Sequence, residues 1–249
     1  MTLLKDLQQL TTAIIPACGD GHSFKLLSQS QAPAIFLSGQ LTTDHLIAEG
    51  DQGLLSITEY KNYAFSLSLK KQQPLILDLQ SGFGNPLNAY YAAKELERSG
   101  ADIMLLSDQI YPAHHTDQPE TTTAQDFIGK IRAALDGIEN PDIQIWARLE
   151  GLHSYGIDGF YNRAQYAANA GASAIILDHY TDEDLHTLLA EELPLPLLAT
   201  LKPNQKPTRI DHDNFYGYLD LGYLDDQADK ALKTAIQTLL EEELTYAEK

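Results

Sequence analysis

The sequence predicts a TIM-type (β/α)8 barrel, an α/β fold, built as a single domain over residues 1–249. Short apolar runs recur along the chain, each followed by a helical pattern. Parallel strands joined by crossover helices read this way, because a strand covered on both faces is apolar nearly throughout. A unit of helix, glycine and strand occurs twice without an antiparallel hairpin signal, which narrows the choice to a barrel or a doubly wound sheet. The typical barrel has about 250 residues, and this chain of 249 has that size.

The strands are expected in PAIFLSG (33–39), PLILDL (74–79), ADIMLLS (101–107), IQIWARL (143–149), ASAIILD (172–178), LPLLAT (195–200) and FYGYLDLG (215–222). Between them, NAYYAAKELERSGA carries apolar positions at helical spacing and ends on Gly100, suited to the left-handed residue that closes a helix. YNRAQYAANAGA repeats the device with Gly171. The polar stretch HHTDQPETTTAQD (114–126) resumes at once into the amphipathic FIGKIRAAL, so it reads as a long loop inside one domain. ALKTAIQTLLEEEL (231–244) reads as the last helix, over about 227–245.

Barrel chemistry sits at the carboxyl ends of the strands. There the sequence places Ser38 and Gly39, Asp78 and Gln80, Ser107 and Asp108, Arg148 and Glu150, and Asp178 and His179. One Ser or Asp ending a strand is ordinarily a cap or turn residue. Polar residues ending five strands point to a site.

Composition limits the partners. With 17 Lys+Arg against 35 Asp+Glu the formal charge is −18, which repels nucleic acid and anionic membrane surfaces. An anionic ligand then needs a local cation or a metal. The single cysteine, Cys18, excludes an intrachain disulfide and a thiolate zinc cluster. No run approaches the roughly 20 apolar residues of a membrane span, and the opening residues lack a basic n-region and a long apolar core. A cytoplasmic protein is expected. The GFGN turn lacks the third glycine of a dinucleotide fingerprint and the Gly-Lys-(Ser/Thr) of a P-loop.

Several segments together resemble the phosphoenolpyruvate mutase and isocitrate lyase superfamily. LILDLQSGFGNPLN is similar to its Asp-x-Asp-(Thr/Ser)-Gly-(Tyr/Phe)-Gly-Asn segment, and KELERSGADIMLLSDQIYP to its Gly-Ala…Glu-Asp-(Gln/Lys)-x-x-Pro segment. WARLEGLHSYGIDGFYNRAQYAANAGASAIIL resembles the stretch built on Ala-Arg-x-Glu-Ala, and GDGHSFKLL with FLSG resembles the leading helix and first barrel strand. The similarity runs in one order over about residues 15–200. Glu150 after Arg148, and AHHTDQ where the lyases carry Lys-Arg-Cys-Gly-His, favour the mutase and phosphonopyruvate hydrolase branch.

The resemblance implies a site of one Mg²⁺, with Asp78 as direct ligand and Asp51 in its outer shell. Gln80 stands where a second Asp is expected and Ser107 where a Glu is expected. Mg²⁺ prefers charged oxygen ligands, so its binding here is expected to be weakened or lost. Arg148 is implied to grip the substrate's phosphoryl or carboxylate group, which suits its planar donor fork. By the same resemblance Ser38 and Gly39 are implied to approach the substrate, Ser38 also as a catalytic residue, with Glu150 and His179 as further substrate-binding residues. The loop of about 111–124 is implied to be a lid. Ala113 replaces the mutase lysine, and His114 becomes the candidate for proton transfer. The implied activity is that of a mutase acting on a phosphorylated or phosphono 2-oxo or enol acid through a metal-stabilised enolate. Alternatives are cleavage of a C–P or C–C bond in a small 2-oxo acid, or a barrel that has lost catalysis and serves in binding or assembly. The partners implied are a small anionic 2-oxo acid and further copies of the chain, as a dimer or a tetramer that exchanges the terminal helix.

Overall fold

The computed structural model describes residues 2–10, 12–201 and 207–247, with side chains between Leu3 and Leu240 in those ranges. Its strands are β1 (Ile14–Ile15), β2 (Ala17–Cys18), β3 (Ile35–Leu37), β4 (Leu75–Asp78), β5 (Ile103–Ser107), β6 (Gln144–Leu149), β7 (Ala174–Leu177), β8 (Leu197–Leu201) and β9 (Phe215–Asp220). All pairings are parallel, in the order β1-β9-β8-β7-β6-β5-β4-β3-β2. β1 and β2 are one stretch of chain divided only by Pro16. Proline has no N–H to give a ladder, so the strand breaks there. Its first half pairs with β9 and its second half with β3, which closes the barrel. Nine assigned strands are thus eight staves, the first one broken.

All seven expected strands form. One expectation is corrected: FLSG lies at the end of the second stave, because Ile14–Cys18 is the first.

The helices are α1 (Thr2–Gln8), α2 (Gly21–Ser28), α3 (Gly39–Ile47), α4 (Ile57–Ser68), α5 (Pro86–Arg98), α6 (Ala124–Gly137), α7 (Leu152–Ala170), α8 (Asp182–Leu189) and α9 (Tyr223–Ala247). Local chemistry starts and stops them. Ser56 with Glu59, Asn85 with Asn88, and Thr181 with Asp184 form reciprocal caps at the starts of α4, α5 and α8. Gly100 (φ 91°) and Gly171 (φ 106°) supply the left-handed residues after α5 and α7.

Alternation along each strand separates two cores. Leu75, Leu77, Met104, Leu106, Ile145, Ala147, Ile175 and Leu177 face outward onto the helices. Phe36, Ile76, Leu105, Trp146, Ile176 and Leu198 fill the barrel interior, where Leu3, Leu4 and Leu7 of α1 join them. Because successive side chains point to opposite faces, the next inward position on each strand is fixed. Those positions are Ser38, Asp78, Ser107, Arg148, Asp178 and Thr200: a polar layer capping an apolar interior.

α9 departs from the pattern of the other helices. Leu232 (60%), Ile236 (47%), Leu239 (61%) and Leu240 (54%) are exposed. The side chains of 241–245, part of the expected terminal helix, lie outside the described residues. Among the described residues, no helix is long and apolar enough to cross a membrane.

Candidate active site

Arg148 stands at the centre of the polar layer. Its Nε and Nη2 donate to Asp178 Oδ2 at 3.0 and 2.5 Å, and Nη2 lies 3.3 Å from Glu150 Oε2. Asp178 Oδ1 accepts from the His179 backbone N–H (2.7 Å) and from Thr200 Oγ1 (2.6 Å). Glu150 accepts from Ser107 Oγ (2.6 Å) and Gln109 Nε2 (2.9 Å), with His179 Nε2 at 3.5 Å. Burial alone would raise both carboxyls. Arg148 and these donors outweigh it, so Asp178 falls to about 2 and Glu150 is also lowered. Among the described residues, Nη1 of Arg148 makes no hydrogen bond. It is the donor left over for a ligand.

Above the layer lies a cavity of about 420 Å³, whose lining includes Gln52, His114, His115, Arg148, Glu150 and His179. Arg148 is its only Lys or Arg among the described residues. His179 holds a left-handed φ of 51°, and among the described residues its buried Nδ1 has no partner. Non-glycine residues rarely adopt that conformation, and it concentrates at functional sites.

The two loop histidines differ. His114 is tied to the 50s loop, with Nδ1 2.9 Å from Asp51 Oδ2, and its backbone N–H donates to Gln109 Oε1 at 2.9 Å. His115 faces the cavity. Burial lowers its proton affinity, and the charges of Arg148 and His179 lower it further. The sequence favoured His114 for proton transfer; the geometry leaves His115 the freer of the two.

Asp78 lies beneath this cavity and is not part of its lining. Oδ2 accepts from the Gly39 N–H (3.0 Å) and Oδ1 from the Gln80 N–H (2.8 Å). A side chain on Gly39 would meet Asp78 Oδ2 at 3.0 Å, so glycine permits the close approach. Burial outweighs these bonds and the charge of Arg148, and the Asp78 carboxyl is raised. Gln80 donates from Nε2 to the Gln52 carbonyl (3.1 Å), and its buried Oε1 has no partner among the described residues. A buried carboxylate short of positive charge beside an orphaned amide oxygen is a donor set that a hard cation fits. Ser38 caps α3 through the Leu41 N–H. Ser107 is spent between Glu150 and the Gln109 N–H (3.0 Å). Asp51 caps the turn Gln52–Leu54.

A second network escaped sequence reasoning. Asp108, fully buried, accepts from the Glu150 N–H (2.9 Å), Tyr155 OH (3.3 Å) and Arg163 Nη1 (3.2 Å). Burial pushes its carboxyl up to about 7 despite these contacts. Arg163 lies 4.6 Å above the Tyr155 ring and donates from Nη2 to the Thr122 carbonyl (2.7 Å). The end of the 111–123 loop is thereby fastened to α7.

A parallel barrel with a largely buried arginine, carboxylates and a histidine at the carboxyl ends of its strands has its candidate site where TIM barrels carry theirs. The sequence profile of the phosphoenolpyruvate phosphomutase family matches residues 4–214, and the chain belongs to that family. It is 28% identical over 190 residues to the 2,3-dimethylmalate lyase of Eubacterium barkeri, covering 76% of this chain and 66% of that one. To the oxaloacetate decarboxylase of Pseudomonas savastanoi pv. phaseolicola it is 28% identical over 179 residues, covering 72% and 60%. The aligned part therefore spans less than two thirds of either relative. A structure of phosphonopyruvate hydrolase in complex with oxalate and Mg²⁺ superimposes with a TM-score of 0.78 at 23% identity, covering 96% of this chain and 84% of that one.

Proposed function

We propose that the protein is an enzyme that cleaves a carbon–carbon bond of a small anionic 2-oxo acid through an enolate. The observation that carries this reading is Arg148, a largely buried guanidinium already shared by two carboxylates, with one nitrogen left over among the described residues. One remaining donor in an acidic cavity suits a carboxylate better than a phosphono dianion. The related dimethylmalate lyase and oxaloacetate decarboxylase agree with carbon–carbon cleavage.

In this reading Arg148 Nη1 and Gln40 at the start of α3 orient the acid, and the 111–123 loop excludes water. The electron pair of the breaking bond becomes the enolate's, the other carbon departs as carbon dioxide or a carbonyl compound, and His115 delivers a proton to the enolate carbon. Asp78 and Gln80 Oε1 would hold the Mg²⁺, which when bound supplies charge that stabilises the enolate oxygen. Ser107 is taken up by Glu150 and gives nothing to a metal.

Thermal unfolding with oxalate, a planar enolate mimic, tests the site. At about 100 times its dissociation constant a ligand adds about 2.7 kcal/mol of stability. For a chain of this size that raises Tm by roughly 5–10 °C. The shift should require Mg²⁺ as well. No shift with oxalate and Mg²⁺ together would favour a barrel that has kept the fold and serves in binding or assembly.

Self-association belongs to the same proposal. The apolar stripe Leu232, Ile236, Leu239 and Leu240 needs a cover. A groove of about 650 Å³, lined by Leu10, Ile14, Pro16, Leu27, Leu201 and Leu224 among others, lies open on the barrel wall. α9 of a second copy fits such a groove. In light scattering at tens of micromolar the wild type should be a dimer or tetramer, and Leu232→Asp with Ile236→Asp a folded monomer. A monomeric wild type would remove the proposal.

A further inference from the structure

A group of metal-ligating side chains lies at the rim of the barrel, outside the Arg148 layer. Asp20 precedes α2, His45 lies on α3, and Asp225 is in the first turn of α9. His45 Nε2 is 2.6 Å from Asp225 Oδ1 and 3.8 Å from Asp20 Oδ2. The three ligand atoms lie within 4.8 Å of one another. Asp20 divides its work: Oδ1 caps α2 through the His22 and Ser23 N–H groups (2.7 and 3.0 Å), which leaves Oδ2 turned to His45.

We propose that Asp20, His45 and Asp225 form a binding site for a zinc-type transition metal ion. Ligand bonds of about 2.0–2.2 Å in a tetrahedral site put donor atoms roughly 3.3 Å apart. The observed 2.6 and 3.8 Å straddle that spacing, so a small opening at Asp225 and a small closing at Asp20 complete it. The side chains are 35%, 22% and 16% exposed for His45, Asp20 and Asp225, which permits the movement and leaves a position for water. Two carboxylates neutralise a divalent ion, and the imidazole selects zinc or cobalt over magnesium, which takes oxygen ligands.

The site has a structural consequence. Asp225 also lines the Arg148 cavity, so a bound ion pins the start of α9 beside the mouth and joins it to α2 and α3. This inference does not depend on the proposed activity.

Cobalt is the probe, because its d–d absorption reports inner-shell ligands where zinc is silent. Chelator-treated full-length protein is titrated with CoCl₂ at pH 7.5 in excess MgCl₂. One Co²⁺ per chain should bind with visible bands that ZnCl₂ removes. His45→Gln, Asp20→Asn and Asp225→Asn should each lose the bands while keeping the wild-type circular dichroism, whereas Asp78→Asn should retain them. Bands that persist in His45→Gln, that vanish in Asp78→Asn, that Mg²⁺ suppresses, or that never form would each overturn the assignment.

Discussion

Arg148→Met is expected to reverse the way stability responds to acid. In the wild type, Asp178 sits at about 2 against an ordinary 3.8, and Glu150 is lowered as well. A carboxyl lowered on folding contributes stability that is present above the unfolded pKa and lost as pH falls through the folded one. For Asp178 that window runs from about 3.8 down to about 2. At about 1.4 kcal/mol per unit the contribution is on the order of 2 kcal/mol. The variant removes the cation and leaves two fully buried carboxylates with only neutral donors and His179. Burial, the largest influence on both, then dominates and raises them above their unfolded values.

The sign therefore changes. A raised carboxyl favours the protonated folded state, so stability falls as pH rises through the acid range and is lowest near neutrality. At pH 7 the uncompensated charges should cost about 3–5 kcal/mol. Urea unfolding from pH 5 to 8 reads the effect. Wild-type stability should be nearly flat with respect to these two groups, while the variant should gain stability toward pH 5. Parallel profiles would show that Arg148 does not carry the charge of this layer. The oxalate shift should vanish in the same variant, which separates the substrate role from the structural one.

The legibility of the site followed the period of the strands. LILD, IMLLS and IQIWAR each carry an apolar run up to a polar inward position, so Asp78, Ser107 and Arg148 could be read as one layer from the sequence. Sideways partners could not. Arg148 is held by Asp178 from 30 residues away, and Asp178 by Thr200 from 22. Both depend on which strand ends come to lie side by side, which the distance between residues along the chain does not state. The terminal Thr200 of LPLLAT gave the one available hint. Asp108 meets Arg163 across 55 residues, where α7 packs over the end of β5, a contact that spacing along the chain does not reveal either. The first stave was missed because Ile14–Cys18 is a short apolar run broken by proline, a pattern that ordinarily demotes a strand. Barrel closure rescues it, since both halves find partners.

Gln80→Asp should convert a weak magnesium dependence into a strong one. Gln80 is wholly buried at a left-handed φ of 49°, with Oε1 unpartnered and Nε2 on the Gln52 carbonyl. Aspartate accepts that backbone more readily than glutamine does. It also removes the donor to Gln52 and sets a second carboxylate near Asp78, whose own carboxyl is already raised by burial. Without metal, an uncompensated buried charge costs about 3–5 kcal/mol. The variant should therefore melt well below the wild type in chelator. Saturating Mg²⁺ should recover most of the loss, because a divalent ion offsets both charges. Supporting ligands typically change metal affinity about 10–100-fold, and a tightening of that order is expected. Calorimetric titration and melting across a MgCl₂ series measure it. If the magnesium shift of Gln80→Asp is no larger than that of the wild type, the layer around Asp78 holds no metal. Asp78 would then be a strand-end carboxyl whose work is complete in its bonds to Gly39 and Gln80.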